Sequence, residues 1–261
     1  VVADIEPWQA AISLILVAVV VAVSAWRGLG LERSILWASL RAAVQLIAVG
    51  VFFTVIFESS LATVWAWLWV LGMVLISGWV VTRRASAVPG LFAIGITSIG
   101  LTCAVVLVVL FGFGVLDAEP VAIVVIAGIT IGNTMPATVQ AVERTRSGLL
   151  DGTGQIEAML ALGFPRVEAT RPLVRDVTRL ALTPQIERTR VVGLIALPGA
   201  MTGLLLAGAD PLDAVLVQLV VMFLVLGSVA VSVTVVTTGM SRQALTSDLR
   251  LADWVSVRSD A

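Results

Sequence analysis

Residues 213–238 read DAVLVQLVVMFLVLGSVAVSVTVVTT, and after Asp213 the stretch carries no charged side chain. About 20 predominantly apolar residues are what a helix needs to cross a bilayer. Outward from this run the composition stays the same: 59% of the 261 residues are hydrophobic, 13% are charged and the mean hydropathy is +1.07. Those values belong to the membrane class. Seven apolar runs fit a span, at roughly 8–26, 35–57, 61–81, 91–111, 120–140, 191–208 and 213–238. They are continuously apolar, without the alternation of a barrel strand. The expectation is an all-α polytopic membrane protein with seven transmembrane helices, residues 1–261 forming one transmembrane domain.

Charge suggests an orientation. All 16 basic residues are arginines. Arg27 and Arg33 follow the first run, Arg83 and Arg84 the third, eight arginines lie between 144 and 190, and Arg242, Arg250 and Arg258 are in the tail. The alternate gaps hold only Asp4, Glu6, Glu58, Asp117, Glu119, Asp210 and Asp213. If the runs alternate, the positive-inside rule predicts an N-terminus outside and a C-terminus in the cytosol, with 240–261 a cytosolic tail. The setting is the inner (plasma) membrane, crossed several times. The acidic residues before the first run argue against a cleavable signal.

Several chemistries are excluded. The chain has no His, Lys or Tyr, and its single Cys is Cys103, inside the fourth run. A Walker A loop needs its Lys, and a Ser-His-Asp hydrolase needs its His. A His- or multi-Cys metal site cannot be built. No Asp or Glu lies inside the runs beyond their first residues, so the usual proton relay lacks its carboxylates. No cofactor, metal or nucleic acid is expected on this chain, and any energy source belongs to a partner.

Three polar places interrupt the runs. Arg41 and Gln45 are one helical turn apart; they face either a cavity or, by snorkelling, the interface. Asn133 stands beside Met135 and Pro136, either as glue between helices or on a substrate path. Pro198 precedes a Gly199-x-x-x-Gly203 pair with Met201 and Thr202; this is either tight packing or a break that exposes carbonyls to a pathway.

Residues 141–190 form the single long polar segment. Ile156, Met159, Leu160 and Gly163 share one helical face, Gly163 suits a helix stop, and Pro165 suits the next first turn. Val167, Val174, Val177 and Ala181 fall on one side of the following helix, with Arg171, Arg175 and Arg179 along another. Pro172 is expected to bend it or shift its start, and Thr183-Pro184 to end the pattern. The segment reads either as an amphipathic cytosolic hairpin on the inner leaflet or as a docking element for a cytosolic partner.

EAMLALGFPRVEA (157–169) resembles the cytoplasmic coupling loop of ABC-transporter permeases, with Glu157, Ala158 and Gly163 matching its Glu-Ala-x-x-x-x-Gly pattern. RAAVQLIAVG (41–50), IGNTMPATVQAVERTRSGL (131–149) and VVGLIALPGAMTGLLLAGADPLDAVLVQLVVMF (191–223) resemble the permeases implicated in bacterial iron export. Plant relatives of those permeases are linked to aluminium tolerance. The resemblance implies the membrane subunit of an ATP-driven exporter in metal homeostasis, itself not an enzyme. It implies coupling through 155–183, with Glu157, Ala158, Gly163, Pro165, Arg171 and Arg175 meeting a separate ATPase that uses ATP and Mg. A second copy of the chain would complete the transporter, with Arg41, Gln45, Asn133, Met135, Pro198, Met201 and Thr202 as path candidates. The residues alone leave open a passive channel, a gradient-driven carrier or a membrane scaffold.

Overall fold

Along one face of the helix Pro120–Asp151, Thr130, Thr134, Thr138, Ala141 and Thr145 are all fully buried. Each of the four threonines donates its hydroxyl to the carbonyl four residues back, at 2.7–2.8 Å. The face therefore presents methyl groups, and neighbouring helices can lie close against it. The computed structural model describes residues 7–84, 88–193, 197–246, 248 and 250–256. The elements in chain order are α1 (Pro7–Ile12), α2 (Leu14–Arg27), α3 (Glu32–Phe57), α4 (Ala62–Arg84), α5 (Leu91–Leu107) and α6 (Pro120–Asp151). They continue with α7 (Thr153–Ala161), α8 (Arg166–Val191), α9 (Gly199–Leu206), α10 (Pro211–Gln243) and α11 (Asp253–Ser256). A π-helical turn, Val108–Gly112, extends α5.

Among the described residues, five helices are long and apolar enough to cross a membrane: α3, α4, α5 with its π turn, α6 and α10. The chain is a multi-pass membrane protein, but the expected seven spans are corrected to five. Residues 8–26 do not form one uninterrupted helix. The ladder breaks at Ser13, where the Leu16 N–H bonds the Ser13 carbonyl at 3.0 Å, leaving α2 with 14 residues. That is about 21 Å of helix against a hydrocarbon core of about 30 Å. Of residues 191–208, 194–196 lie outside the described residues, and the others form no helix of spanning length. Gly193 turns at φ 83°, Pro198 lacks an N–H, and the eight residues of α9 give about 12 Å. An apolar run permits a span without securing an unbroken helix.

The expected orientation of the termini depended on seven alternating crossings and is withdrawn with them. The Arg-rich segment folds as α7, a turn and α8, and α8 continues through Pro172 and Pro184, where a bend and an end were expected, and packs against α6 and α10. Ala169, Thr170, Val177 and Ala181 are buried, and Thr178 Oγ1 meets Thr237 Oγ1 of α10 at 3.2 Å. Leu173 lies where a Cβ on Gly148 of α6 would stand, so the two helices are in close contact there.

Two compact units divide the described chain. The first comprises residues 1–62 with 203–210, the second 63–202 with 211–261. In the first, Gly28 and Gly30 at φ 64° and 67° turn the chain from α2 into α3. Ser24 Oγ closes that turn, accepting from the Leu31 N–H at 3.2 Å and donating to Glu32 Oε1 at 2.8 Å. In the second, α5 runs antiparallel to α10: Gly90 faces Gln243, and Ile94 lies against Gly239. Ser98 of α5, Thr138 of α6 and Ser232 of α10 meet at the centre. The Ser232 hydroxyl lies 2.7 Å from that of Ser98 and 2.6 Å from that of Thr138, and Ser98 also donates to the Ser232 carbonyl at 2.8 Å. The chain folds back after α10, burying Trp254 and Val255. Arg258 lies outside the described residues.

Hydrogen bonds between membrane helices contribute about 0.6 kcal/mol on average and up to about 1.7. Ser232→Ala is therefore expected to destabilise the protein by about 1 kcal/mol, read from thermal unfolding in detergent. An unchanged midpoint would mean that apolar packing alone holds the three helices. Gly78→Ala should do more damage, because its new Cβ would stand 2.6 Å from Ile96 Cγ1.

Candidate functional site

Where α6, α8 and α10 meet the start of α9, the second unit forms an open cavity of about 300 Å³. Its polar lining is Asn133 from α6, Gln185, Arg188 and Thr189 from α8, and Gln218 from α10; Pro198 and Gly199 close one side. Helix direction explains how these residues converge. α6 and α10 run parallel, since Thr138 meets Ser232 while Asn133 shares the cavity with Gln218–Val225. α8 runs the opposite way along α10, with Thr178 against Thr237 and Arg188 at the level of Gln218 and Val221. The return between the two parallel helices is thus made by the arginine-bearing α8.

That path brings Arg188 alongside the charge-free run of α10. The lining from Gln218 to Val225 lies five to twelve residues beyond Asp213, or about 8–18 Å into the charge-free run. An ionised side chain at such depth is costly and marks a pathway or binding site more often than a packing contact. Arg188 is exposed rather than sealed in protein. Gln218 is 8% exposed, and its Oε1 has no hydrogen-bond partner among the described residues. Asn133 donates Nδ2–H to the Ile129 carbonyl at 2.7 Å. Thr189 donates to the Gln185 carbonyl at 2.9 Å.

Of the residues singled out from sequence, Asn133 and Pro198 line this cavity. Met201 and Thr202 follow on α9 outside the lining, Thr202 bonding the Pro198 carbonyl at 3.1 Å. Met135 lies two residues beyond Asn133 on α6 and is half-buried. Arg41 and Gln45 are exposed on α3 of the first unit. Gln185, Arg188, Thr189 and Gln218 went unread. The signal for Gln218 was a lone amide in a charge-free run, whereas Arg188 was hidden by its assignment to a surface loop.

A second site lies at the α7–α8 turn. Gly163, at φ 85°, lets the Gly163 N–H reach the Leu160 carbonyl at 3.0 Å and the Phe164 N–H reach the Met159 carbonyl at 3.1 Å. This double closure is the Schellman helix ending that a left-handed glycine allows. Pro165 stays extended just ahead of α8. Ile156 is buried and fastens α7 to the protein, while Glu157 and Ala158 are exposed. The turn presents Leu162, Phe164 and Val167 to solvent, at 77%, 41% and 66% exposure. Arg171 and Arg175 are exposed on the first half of α8. Arg171 shares a cavity of about 370 Å³ with Arg166, Thr170, Ser241 and Arg242.

Among the described residues, no group of three His, Cys, Asp or Glu side chains could hold a metal ion.

The model of the uncharacterised protein family UPF0014 matches residues 7–245. The chain is 38% identical to the UPF0014 membrane protein STAR2 of Oryza sativa subsp. japonica, over 83% of its own length and 75% of the relative's. It is 33% identical to the probable iron export permease protein FetB of Escherichia coli, over 85% of each chain. To the protein ALUMINUM SENSITIVE 3 of Arabidopsis thaliana it is 32% identical, over 85% of its own length and 81% of the relative's. No solved structure matches the chain.

Removing an unsatisfied buried oxygen costs a fold little, because no bond is lost with it. Gln218→Leu is expected to keep or raise the thermal midpoint. A loss above about 2 kcal/mol would show that Gln218 is a packing residue and not a group held ready for a ligand.

Proposed function

The chain belongs to UPF0014, and from that membership we propose that it is the membrane permease subunit of an ATP-driven transporter in metal homeostasis. The metal connection comes from relatives, one named as a probable iron export permease and another for aluminium sensitivity. Export is the direction that the first of those names carries.

One observation supports coupling to a separate ATPase. The α7–α8 turn holds Leu162, Phe164 and Val167 exposed beside Glu157 and Ala158, on a rigid glycine-closed ending instead of a loose loop. Such apolar knobs beside a carboxylate suit a groove on a cytosolic partner. Ile156 and the α8 contacts with α6 and α10 give that turn a stiff connection to the bundle. A push on the turn would shift α8, and α8 carries Gln185, Arg188 and Thr189 into the cavity. In this reading residues 141–190 are the coupling segment, with Glu157, Ala158, Gly163, Pro165, Arg171 and Arg175 at or near the contact. Two copies of the chain work with two ATPase subunits, which bind the ATP and Mg.

The test is gentle extraction of the complex from native membranes, with its subunits weighed and identified. A stoichiometric P-loop ATPase is expected. Glu157→Arg combined with Phe164→Glu should cut its recovery at least about tenfold while leaving detergent elution unchanged, since buried apolar anchors dominate such contacts. A homo-oligomer without ATPase, even after crosslinking, would replace this reading with a passive channel or gradient-driven carrier.

A further inference from the structure

The cavity among α6, α8, α9 and α10 has a chemistry at odds with a bare metal ion. Hard cations such as Fe(III) or Al(III) are held by carboxylates and other anionic oxygens, softer ones by imidazole or several sulfur ligands. Among its described lining residues there is no carboxylate, thiolate or imidazole; Met222 supplies one thioether, and the only charge is the positive one of Arg188. A free cation entering would meet a guanidinium and no anionic group.

The same lining suits the opposite charge. A guanidinium offers a planar fork of donors that matches a carboxylate or phosphate edge. Gln185 and Gln218 add carboxamides. Gln218 is the informative one, because its buried Oε1 lacks a partner. A side-chain amide turned over exchanges that oxygen for an NH2 donor, at no cost in shape. As placed, that oxygen is shut off from the open space, which leaves the NH2 end of the amide to meet an anion there. The cavity's 300 Å³ is on the scale of a small organic solute, well above that of one naked ion.

We infer that this cavity is an oxyanion site, with Arg188 as the charged anchor and Gln218 and Gln185 as donors, and that metal cargo passes through it as a negatively charged carboxylate chelate. The statement about cargo rests on the transport reading above; the statement about the anion does not. The chelate's carboxylate edge pairs with Arg188 while its own ligands keep the metal away from the guanidinium.

The experiment is equilibrium binding to the full chain in lipid nanodiscs, using radiolabelled citrate, radioiron as Fe(III)–citrate, inorganic phosphate, and Fe(II) kept reduced with ascorbate. Citrate and Fe(III)–citrate are expected to bind saturably and to displace each other, and Fe(II) is expected not to bind. Arg188→Gln should weaken chelate binding at least about tenfold, Arg188→Lys should recover part of it, and Gln218→Leu should weaken it several-fold. If Arg188→Gln does not fold, competition between citrate and its chelate on the native chain, with the Gln218→Leu loss, still decides the matter. Phosphate displacing label while Fe(III)–citrate does not bind would uphold the oxyanion site and overturn the chelate. Saturable Fe(II) binding that survives Arg188→Gln, or no binding of any of the three anions, overturns the site itself. Citrate bound by a chain that recovers no ATPase would overturn the coupled-transporter reading and leave the anion site standing. An ATPase recovered with a chain that binds no anion does the reverse.

Discussion

The second unit depends on close approach of α5, α6 and α10 around the Ser232 hydroxyl. Inside a bilayer the hydrophobic effect does not draw helices together, because lipid tails are as apolar as leucine. Attraction has to come from van der Waals contact and hydrogen bonds between small or hydroxylated residues. The threonine row of α6 meets this need economically. Each hydroxyl is satisfied within its own helix, and Thr138 also meets Ser232, so no polar group is left bare on the packing face. Glycines do the corresponding work elsewhere, with Gly78 admitting Ile96 and Gly148 admitting Leu173.

Because α6 and α10 lie parallel, the chain between them has to come back across the bundle. That topological demand places an arginine-bearing helix beside α10. α8 meets it with two different faces: Ala169, Val177 and Ala181 are buried, while Arg171, Arg175 and Arg179 stay exposed. One helix, about 39 Å long at 1.5 Å for each of its 26 residues, then joins the α7–α8 turn at one end to the cavity at the other.

Much of this was legible beforehand. The membrane class, the α3, α4, α5, α6 and α10 spans and the exposed arginine stripe follow from composition and period alone. The glycine stop at Gly163 is local chemistry and was read correctly, as was the apolar face on which Ile156 is buried. The counting of spans failed where helix continuity depends on single residues, at Ser13 and around Pro198. Pro172 and Pro184 failed in the other direction. Packing against α6 and α10 keeps α8 helical through two prolines that an isolated peptide would not tolerate.

Sequence by itself determined that this chain lives in a bilayer, because hydropathy is a sum over residues and does not depend on where they meet. It also determined that no Walker lysine or histidine-based metal site exists, since absent residues cannot be supplied by folding. Only the tertiary structure decided that Arg188, 55 residues from Asn133 and 30 from Gln218, shares a cavity with both. The reason is physical: helix direction and small-residue packing set which distant side chains face one another, and neither is written in the local pattern around any one of them.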